Sequence, residues 1–180
     1  MATIERIRDY QVSSDDKFFF DNNVWMMLFS SIISGSRQHE QRIYNNLFRD
    51  IQSARATIFT NALVVSEFVN ANLRIGFKRW KRLPENAGLS NYKTDFRPTQ
   101  SFRDYRDIAY ADLENILKVS YRKPDDFNTI ELSHILGASG QTMDFNDAYF
   151  VTYCNQNRLI LVTDDKDFFD TPLDVKILTC

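Results

Sequence analysis

Phe18, Phe19 and Phe20 stand in an unbroken row, Asp21 follows at once, and a helical pattern opens within a few residues, in Lys17-Phe-Phe-Phe-Asp21-Asn22-Asn23-Val24-Trp25. Three consecutive aromatics read as a short buried strand. A carboxylate at the carboxyl end of such a strand, with a helix beyond it, occupies the place where open α/β sheets put their active sites. The plain alternative is that Asp21 or Asn22 caps the following helix, a task both residue types perform well.

The same construction recurs near the C-terminus. Leu159-Ile160-Leu161-Val162 is a continuous apolar run, as expected of a parallel strand buried on both faces. It ends in Thr163-Asp164-Asp165-Lys166-Asp167-Phe168. Two such strands, parallel and adjacent, would bring Asp21 and Asp165 to one edge of a sheet.

Bulk properties narrow the chemistry. The 180 residues suit one domain over 1–180, and 43% hydrophobic and 14% aromatic content suits a packed core rather than a disordered chain. The longest apolar run, Val24 to Ile33, contains two serines and is too short to span a bilayer, and Met1 to Asp16 shows no signal-peptide core. A cytoplasmic protein without a membrane partner is the expectation. Cys154 and Cys180 form no zinc spacing, and His39 and His134 have no paired ligand nearby in sequence. No glycine-rich phosphate loop is present. Chemistry here rests on carboxylates.

Along the chain, a short helix is expected over Ile4 to Tyr10, then a strand over Phe18 to Asp21 and a helix from Val24 to Ile33, stopped by Gly35. Ile43, Leu47, Phe48, Ile51 and Ala54 recur at helical spacing within Glu40 to Ala54. Ala56 to Thr60 is β-branched and aromatic and reads as a strand. Asn61 leads into a helix from Leu63 to Arg82. Glu67 lies inside its apolar start, where a carboxylate either points outward or meets a cation. Leu83 to Thr99 is an excursion, and Phe102 to Val119 returns to a helical pattern. Asp125 to Thr129 is a turn. Ile130 to Leu136 is ambiguous between helix and strand, and Gly137 to Gly140 reads as a loop. Val175 to Leu178 supplies a last, edge strand.

Asp144 and Asp147 share a helix start running to Asn155, in Thr142-Met-Asp144-Phe-Asn-Asp147-Ala148. Asp144 is placed as the N-cap. Asp147, one turn on along the same face, either meets the helix dipole or binds metal. Carboxylates crowded at one sheet edge repel by about 1 kcal/mol per pair at 4 Å even in water, so protons or divalent cations must offset them. All-oxygen ligation suits Mg²⁺ or Mn²⁺, which serve phosphodiester hydrolysis by activating water and countering phosphate charge.

Charge is unevenly spread. From Arg74 to Lys123 there are 12 Lys and Arg against 6 Asp and Glu, a local +6, whereas the whole chain carries −2. A basic flank beside an acidic centre suits a metal site next to a polyanion track. Lys78, Arg79, Lys81 and Arg82 surround Trp80, a grouping suited to phosphate contact and base stacking, although solvated helices carry such clusters too.

The motifs Phe-Phe-Asp21-Asn-Asn23-Val24-Trp25, Ser66-Glu67-Phe68, Asp144-Phe-Asn-Asp147-Ala148 and Val162-Thr163-Asp-Asp165-Lys-Asp167-Phe168 occur in an order that resembles the PIN domain, the nuclease fold of toxins in bacterial toxin–antitoxin modules and of RNA-processing enzymes. The closing Thr-x-Asp-x-Asp-Phe is the most distinctive match and Glu67 the least. The resemblance implies a three-layer α/β/α sandwich around a mainly parallel sheet. It implies a metal-dependent endoribonuclease that leaves 5′-phosphate and 3′-hydroxyl ends. Carried over, Asp21, Glu67, Asp147 and Asp165 form the acidic Mg²⁺ or Mn²⁺ cluster, and Asn23 and Thr163 orient it or the phosphate. Asp144 and Asp164 are second-rank candidates. An RNA substrate, an antitoxin protein and a homodimer are the implied partners. The segment of about 76–126 is longer than compact toxins need and reads as a helical, basic insertion that helps hold RNA. A non-catalytic PIN-like module that binds RNA or protein is the rival reading. Phosphoryl transfer at an aspartate is a third, disfavoured because Asn23 stands where that chemistry wants a second aspartate.

Overall fold

The structure is a computed structural model and describes residues 1–33, 37–138 and 143–180. The expected helix stop at Gly35, the loop residues 139–140 and Thr142 lie outside the described residues.

Six strands form one sheet: β1 (Thr3–Arg6), β2 (Lys17–Phe20), β3 (Thr57–Thr60), β4 (Tyr121–Arg122), β5 (Ile160–Val162) and β6 (Lys176–Thr179). Their spatial order is β1-β6-β5-β2-β3-β4, and every neighbouring pair is parallel. The two apolar strands thus lie side by side, with Phe18 opposite Ile160 and Phe20 opposite Val162. Phe18, Phe19 and Phe20 are each fully buried. Such side chains contribute roughly 1.5–3 kcal/mol apiece through burial, so this triplet anchors the sheet.

Successive strand residues face opposite sides. Phe19 packs against Phe150 and Tyr153 of helix α6 (Phe145–Asn157), with ring centroids at 5.6 and 5.3 Å. Phe20 packs on the other face against Trp25 of helix α1 (Asn22–Phe29), at 5.0 Å. Helices therefore cover both faces, and the three-layer α/β/α expectation holds. The remaining helices are α2 (Gln38–Ala54), α3 (Ala62–Trp80), α4 (Gln100–Val119) and α5 (Leu132–Ala138). The segment Ile130–Leu136, ambiguous in sequence, is helical from Leu132 on, and Gly137 belongs to α5 rather than to a loop.

Three expectations fail. The N-terminal segment forms strand β1 and a short 3-10 turn (Ile7–Asp9), not a helix over Ile4–Tyr10. Because β1 lies outside β6, the C-terminal strand is not an edge strand. Helix α1 ends at Phe29 rather than Ile33, because Ser30 and Ser31 bond away from the helix. Ser30 donates to Asn72 Oδ1 in α3, and Ser31 donates its N–H and hydroxyl to the buried Asp112 of α4 at 2.7 and 2.6 Å.

The expected excursion contains a 3-10 turn (Pro84–Asn86) and a π-helical turn (Tyr92–Phe96) between α3 and α4. Its aromatics build a cluster of their own. Phe96 is fully buried among Phe77, Trp80, Tyr92 and Phe102, with ring centroids at 5.3–5.6 Å. Trp80 is only 4% exposed, so it packs into this cluster and offers no face to a base. The helices α3 and α4 pack tightly at Gly76, where an added Cβ would lie 2.5 Å from Tyr105 Cγ. Gly76→Ala should therefore lose roughly 1–3 kcal/mol of stability by overpacking, despite alanine's better helix propensity. Thermal or urea melting checks this; an unchanged midpoint would mean that the two helices separate freely.

Candidate functional site

Parallel strands deliver their carboxyl ends to one edge of the sheet. Asp21 leaves β2 there and caps α1, accepting the Asn22 N–H. Its own N–H donates to the Val162 carbonyl of β5. The adjacent β5 is followed by Thr163, fully buried, whose hydroxyl donates to Asp21 Oδ2 at 2.8 Å. Thr163 Oγ1 also accepts from Asn23 Nδ2 at 3.1 Å and from the Asp165 N–H at 3.0 Å. Asn23 Oδ1 accepts the Asp164 N–H in return. One hydroxyl thus ties Asp21, Asn23 and the Asp165 loop together. Asp165 caps the 3-10 turn Lys166–Phe168 through the Asp167 N–H.

Glu67 lies in the second turn of α3, which Asn61 starts by accepting the Val64 N–H. Asp144 caps α6 through the N–H groups of Asn146 and Asp147, at 2.8 and 3.0 Å. That cap aims the first turn of α6 at α3, and Asn146 Nδ2 donates to Glu67 Oε1. Asn146 was missed from sequence; its only signal was its place between two carboxylates at a helix start.

The electrostatics tie these segments into one cluster. Burial pushes Asp21, 7% exposed, up to about 7, with the charges of Glu67 and Asp165 adding to the rise against its hydrogen bonds. Asp147 is pushed up to about 7 by burial and by the charges of Asp144, Asp21 and Asp165. Glu67 is pushed up to about 6 by burial and by Asp147 and Asp144, while the Asn146 bond pulls it back. Among the described residues, no salt bridge reaches Asp21, Glu67, Asp147 or Asp165. Perturbed carboxyls gathered without cations are the pattern of a functional site. Among the described residues, no three His, Cys, Asp or Glu side chains already surround one point closely enough to hold an ion.

Asp164 stands apart. It pairs with Arg37, accepts from Tyr44 Oη at 3.4 Å and takes the Cys180 thiol at 3.0 Å. Its charge is spent on α2 and the C-terminal residue, and sequence offered no hint of Arg37 as its partner. Lys78, Lys81 and Arg82 are exposed at the far end of α3, about 16 Å along the helix from Glu67 to Lys78. Arg79 is exposed too, but its guanidinium donates to the Ile32 carbonyl and ties α3 to the segment that follows α1. His39 and His134 are exposed, and both cysteines are free thiols. Among the described residues, no helix is long and apolar enough to cross a membrane.

No family model matches the chain, and no curated protein matches it. Among solved structures, it is similar to a chain in the crystal structure of VapBC2 from Rickettsia felis bound to a DNA fragment from their promoter. The match has a TM-score of 0.53 at 14% identity and covers 90% of this chain and 98% of that one. With the parallel sheet and its helical layers, that likeness gives this chain a PIN-like fold.

Proposed function

We propose that the chain is a metal-dependent endoribonuclease, the toxin of a toxin–antitoxin pair. The observation that carries this reading is the gathering of Asp21, Glu67, Asp147 and Asp165 from four remote segments at one sheet edge, three of them with raised pKa and none in an ion pair among the described residues. Hard oxygen donors that resist ionisation without a counter-charge fit Mg²⁺ or Mn²⁺. Asp21 and Asp165 would hold the principal ion, with Asp147 and Glu67 completing the site. Such an ion, when bound, supplies an activated water and offsets charge on the phosphate.

The chain's own groups supply orientation and proton handling. Thr163 and the Asn22 N–H lock the Asp21 carboxylate in one rotamer. Asn23 is held against Thr163, close to where a phosphate oxygen would lie. Glu67 keeps Oε1 on Asn146, which leaves Oε2 to face the ion or to orient the attacking water. In the metal-free site, burial and the charges of Asp147 and Asp144 raise Glu67 above the ordinary carboxylate range, so it takes up a proton more readily than an exposed glutamate. The antitoxin partner follows from the motif resemblance together with the fold likeness to VapBC2.

The test is RNA incubated with purified protein in Mg²⁺ or Mn²⁺ against EDTA, with end mapping. Metal-dependent cuts with 5′-phosphate ends support the reading, and intact RNA in every condition overturns it. A non-cutting RNA- or protein-binding module is favoured by one observation: among the described residues, no three His, Cys, Asp or Glu side chains are grouped closely enough to hold a metal ion. Intact RNA with retained binding would select it.

The exposed Lys78, Lys81 and Arg82 extend this reading to the insertion as an RNA track, with Arg79 contributing in part. Charge reversal at the first three should weaken RNA affinity about tenfold or more at low salt and flatten its salt dependence. Filter binding across a salt series measures this, and an unchanged slope would remove the insertion from the RNA path.

A further inference from the structure

Beside the acidic edge lies a cavity with a largely apolar wall and two basic residues at it, Arg122 and Lys123. Thr60 ends β3 opposite Arg122 of β4, and Phe59 pairs with Phe19 of β2, so Asn61 emerges one strand away from Asp21. Neighbouring strands are about 4.8 Å apart, which sets the scale between the two residues. A cavity of about 540 Å³ opens here, lined by Thr60, Asn61, Ala62, Val65, Arg122 and Lys123 among others, and no carboxylate lines it.

Among the described residues, two side-chain groups of the lining residues are buried and without a hydrogen-bond partner: Thr60 Oγ1 and Asn61 Nδ2, in residues 0% and 3% exposed. Asn61 Oδ1 already caps the Val64 N–H, which fixes the amide and leaves its NH₂ over. Helix α3 starts at the same place and runs for 19 residues. The N–H groups of its first turn, at Ala62 and Leu63, have no acceptor within the helix and carry the positive end of its dipole. Arg122 is exposed and in no ion pair among the described residues, whereas Lys123 reaches Asp126 at 3.8 Å. Spare buried donors, a long helix N-terminus and a free guanidinium share one complement, a phosphate.

We infer that this cavity is a phosphate site that holds a backbone phosphodiester of a single-stranded RNA, next to the one presented to the carboxylates. The inference rests on the nuclease reading for its substrate. It adds the group that fixes the strand's register across the edge: acids at β2 and β5, donors at β3 and β4.

The test measures binding without cleavage, so it reads out whether or not the chain cuts RNA. A fluorescent single-stranded RNA oligonucleotide is titrated in EDTA into wild type, Asn61→Asp, Arg122→Glu and, as comparator, Asp21→Asn. Asn61→Asp keeps the capping oxygen and turns the spare donor into an acceptor. Arg122→Glu alters an exposed side chain, so folding is not at stake. Each should lose about tenfold in affinity when compared well below its own melting transition, Arg122→Glu at an unchanged melting temperature, whereas Asp21→Asn should not lose affinity. Backbone amide NMR signals of Ala62 and Leu63 should shift with the RNA and, at higher concentration, with inorganic phosphate. Shifts with phosphate but not with RNA would mean a free-anion site and overturn the strand assignment. Unchanged affinity in both variants would overturn the site.

Discussion

Asp21→Asn should abolish RNA cleavage, lowering the rate by about 10³-fold or more, equivalent to roughly 4 kcal/mol of barrier. The substitution keeps the shape of the side chain. The amide oxygen of asparagine can still accept from the Asn22 N–H or the Thr163 hydroxyl, the two bonds that Asp21 makes. What it removes is the charge that would face a divalent ion. The folded state should therefore survive, and circular dichroism and melting should show a chain at least as stable as wild type. Asp164→Asn is the control. That carboxylate is engaged by Arg37, Tyr44 and Cys180, and its loss should leave cleavage within a few-fold of wild type. In cells, induced wild type should arrest growth and produce discrete cuts that Asp21→Asn does not. Full activity of Asp21→Asn in EDTA would sink the site assignment.

The metal-free protein should become less stable as pH rises from about 4 to about 7. Asp21 stands at about 7 in the folded chain against an ordinary 3.8. Between those values the folded state holds a proton that the unfolded state has released, so unfolding becomes easier with rising pH. The stabilisation is complete below about 4 and lost once pH passes 7. A rise of about three units corresponds to about 4 kcal/mol for this buried group. Asp147 and Glu67 act in the same direction, but both are half-buried and water screens their share. Asp95 and Glu131, lowered on the surface by hydrogen bonds, oppose the trend weakly. Urea melts in EDTA at pH 4.5, 6 and 8 measure the slope. Magnesium should restore stability at pH 8 and do nothing at pH 4.5, and Asp21→Asn should flatten the profile. The same steep slope in that variant would move the effect to other residues.

The apolar strands and their trailing acids were legible in the sequence because burial on both faces leaves an unbroken signal. Phe18–Phe20 and Leu159–Val162 proved to be neighbours, as the parallel reading required. Asp144 as a helix cap was equally legible, since capping is a local event. Strand β1 was not: Thr3–Arg6 is mostly exposed and mixes charge with one isoleucine, so nothing in it shows that it pairs with β6. The two residues of β4 were too few to read. Where the chain misled, tertiary partners decided the outcome. Trp80 looked available among basic residues, but Phe77 and Phe96 bury it. Asp164 and Asp165 are indistinguishable as letters, and only the fold sends one to Arg37 and the other toward Asp21.

The ring cluster around Phe96 has a consequence for how tolerant the molecule is to change. Phe77, Trp80, Tyr92 and Phe102 shield one another and draw little on the rings beneath the sheet. A lesion in either cluster is therefore a local affair. The outlying paddle between α3 and α4 can drift in surface charge and in loop length while the strand ends that carry the acids keep their spacing.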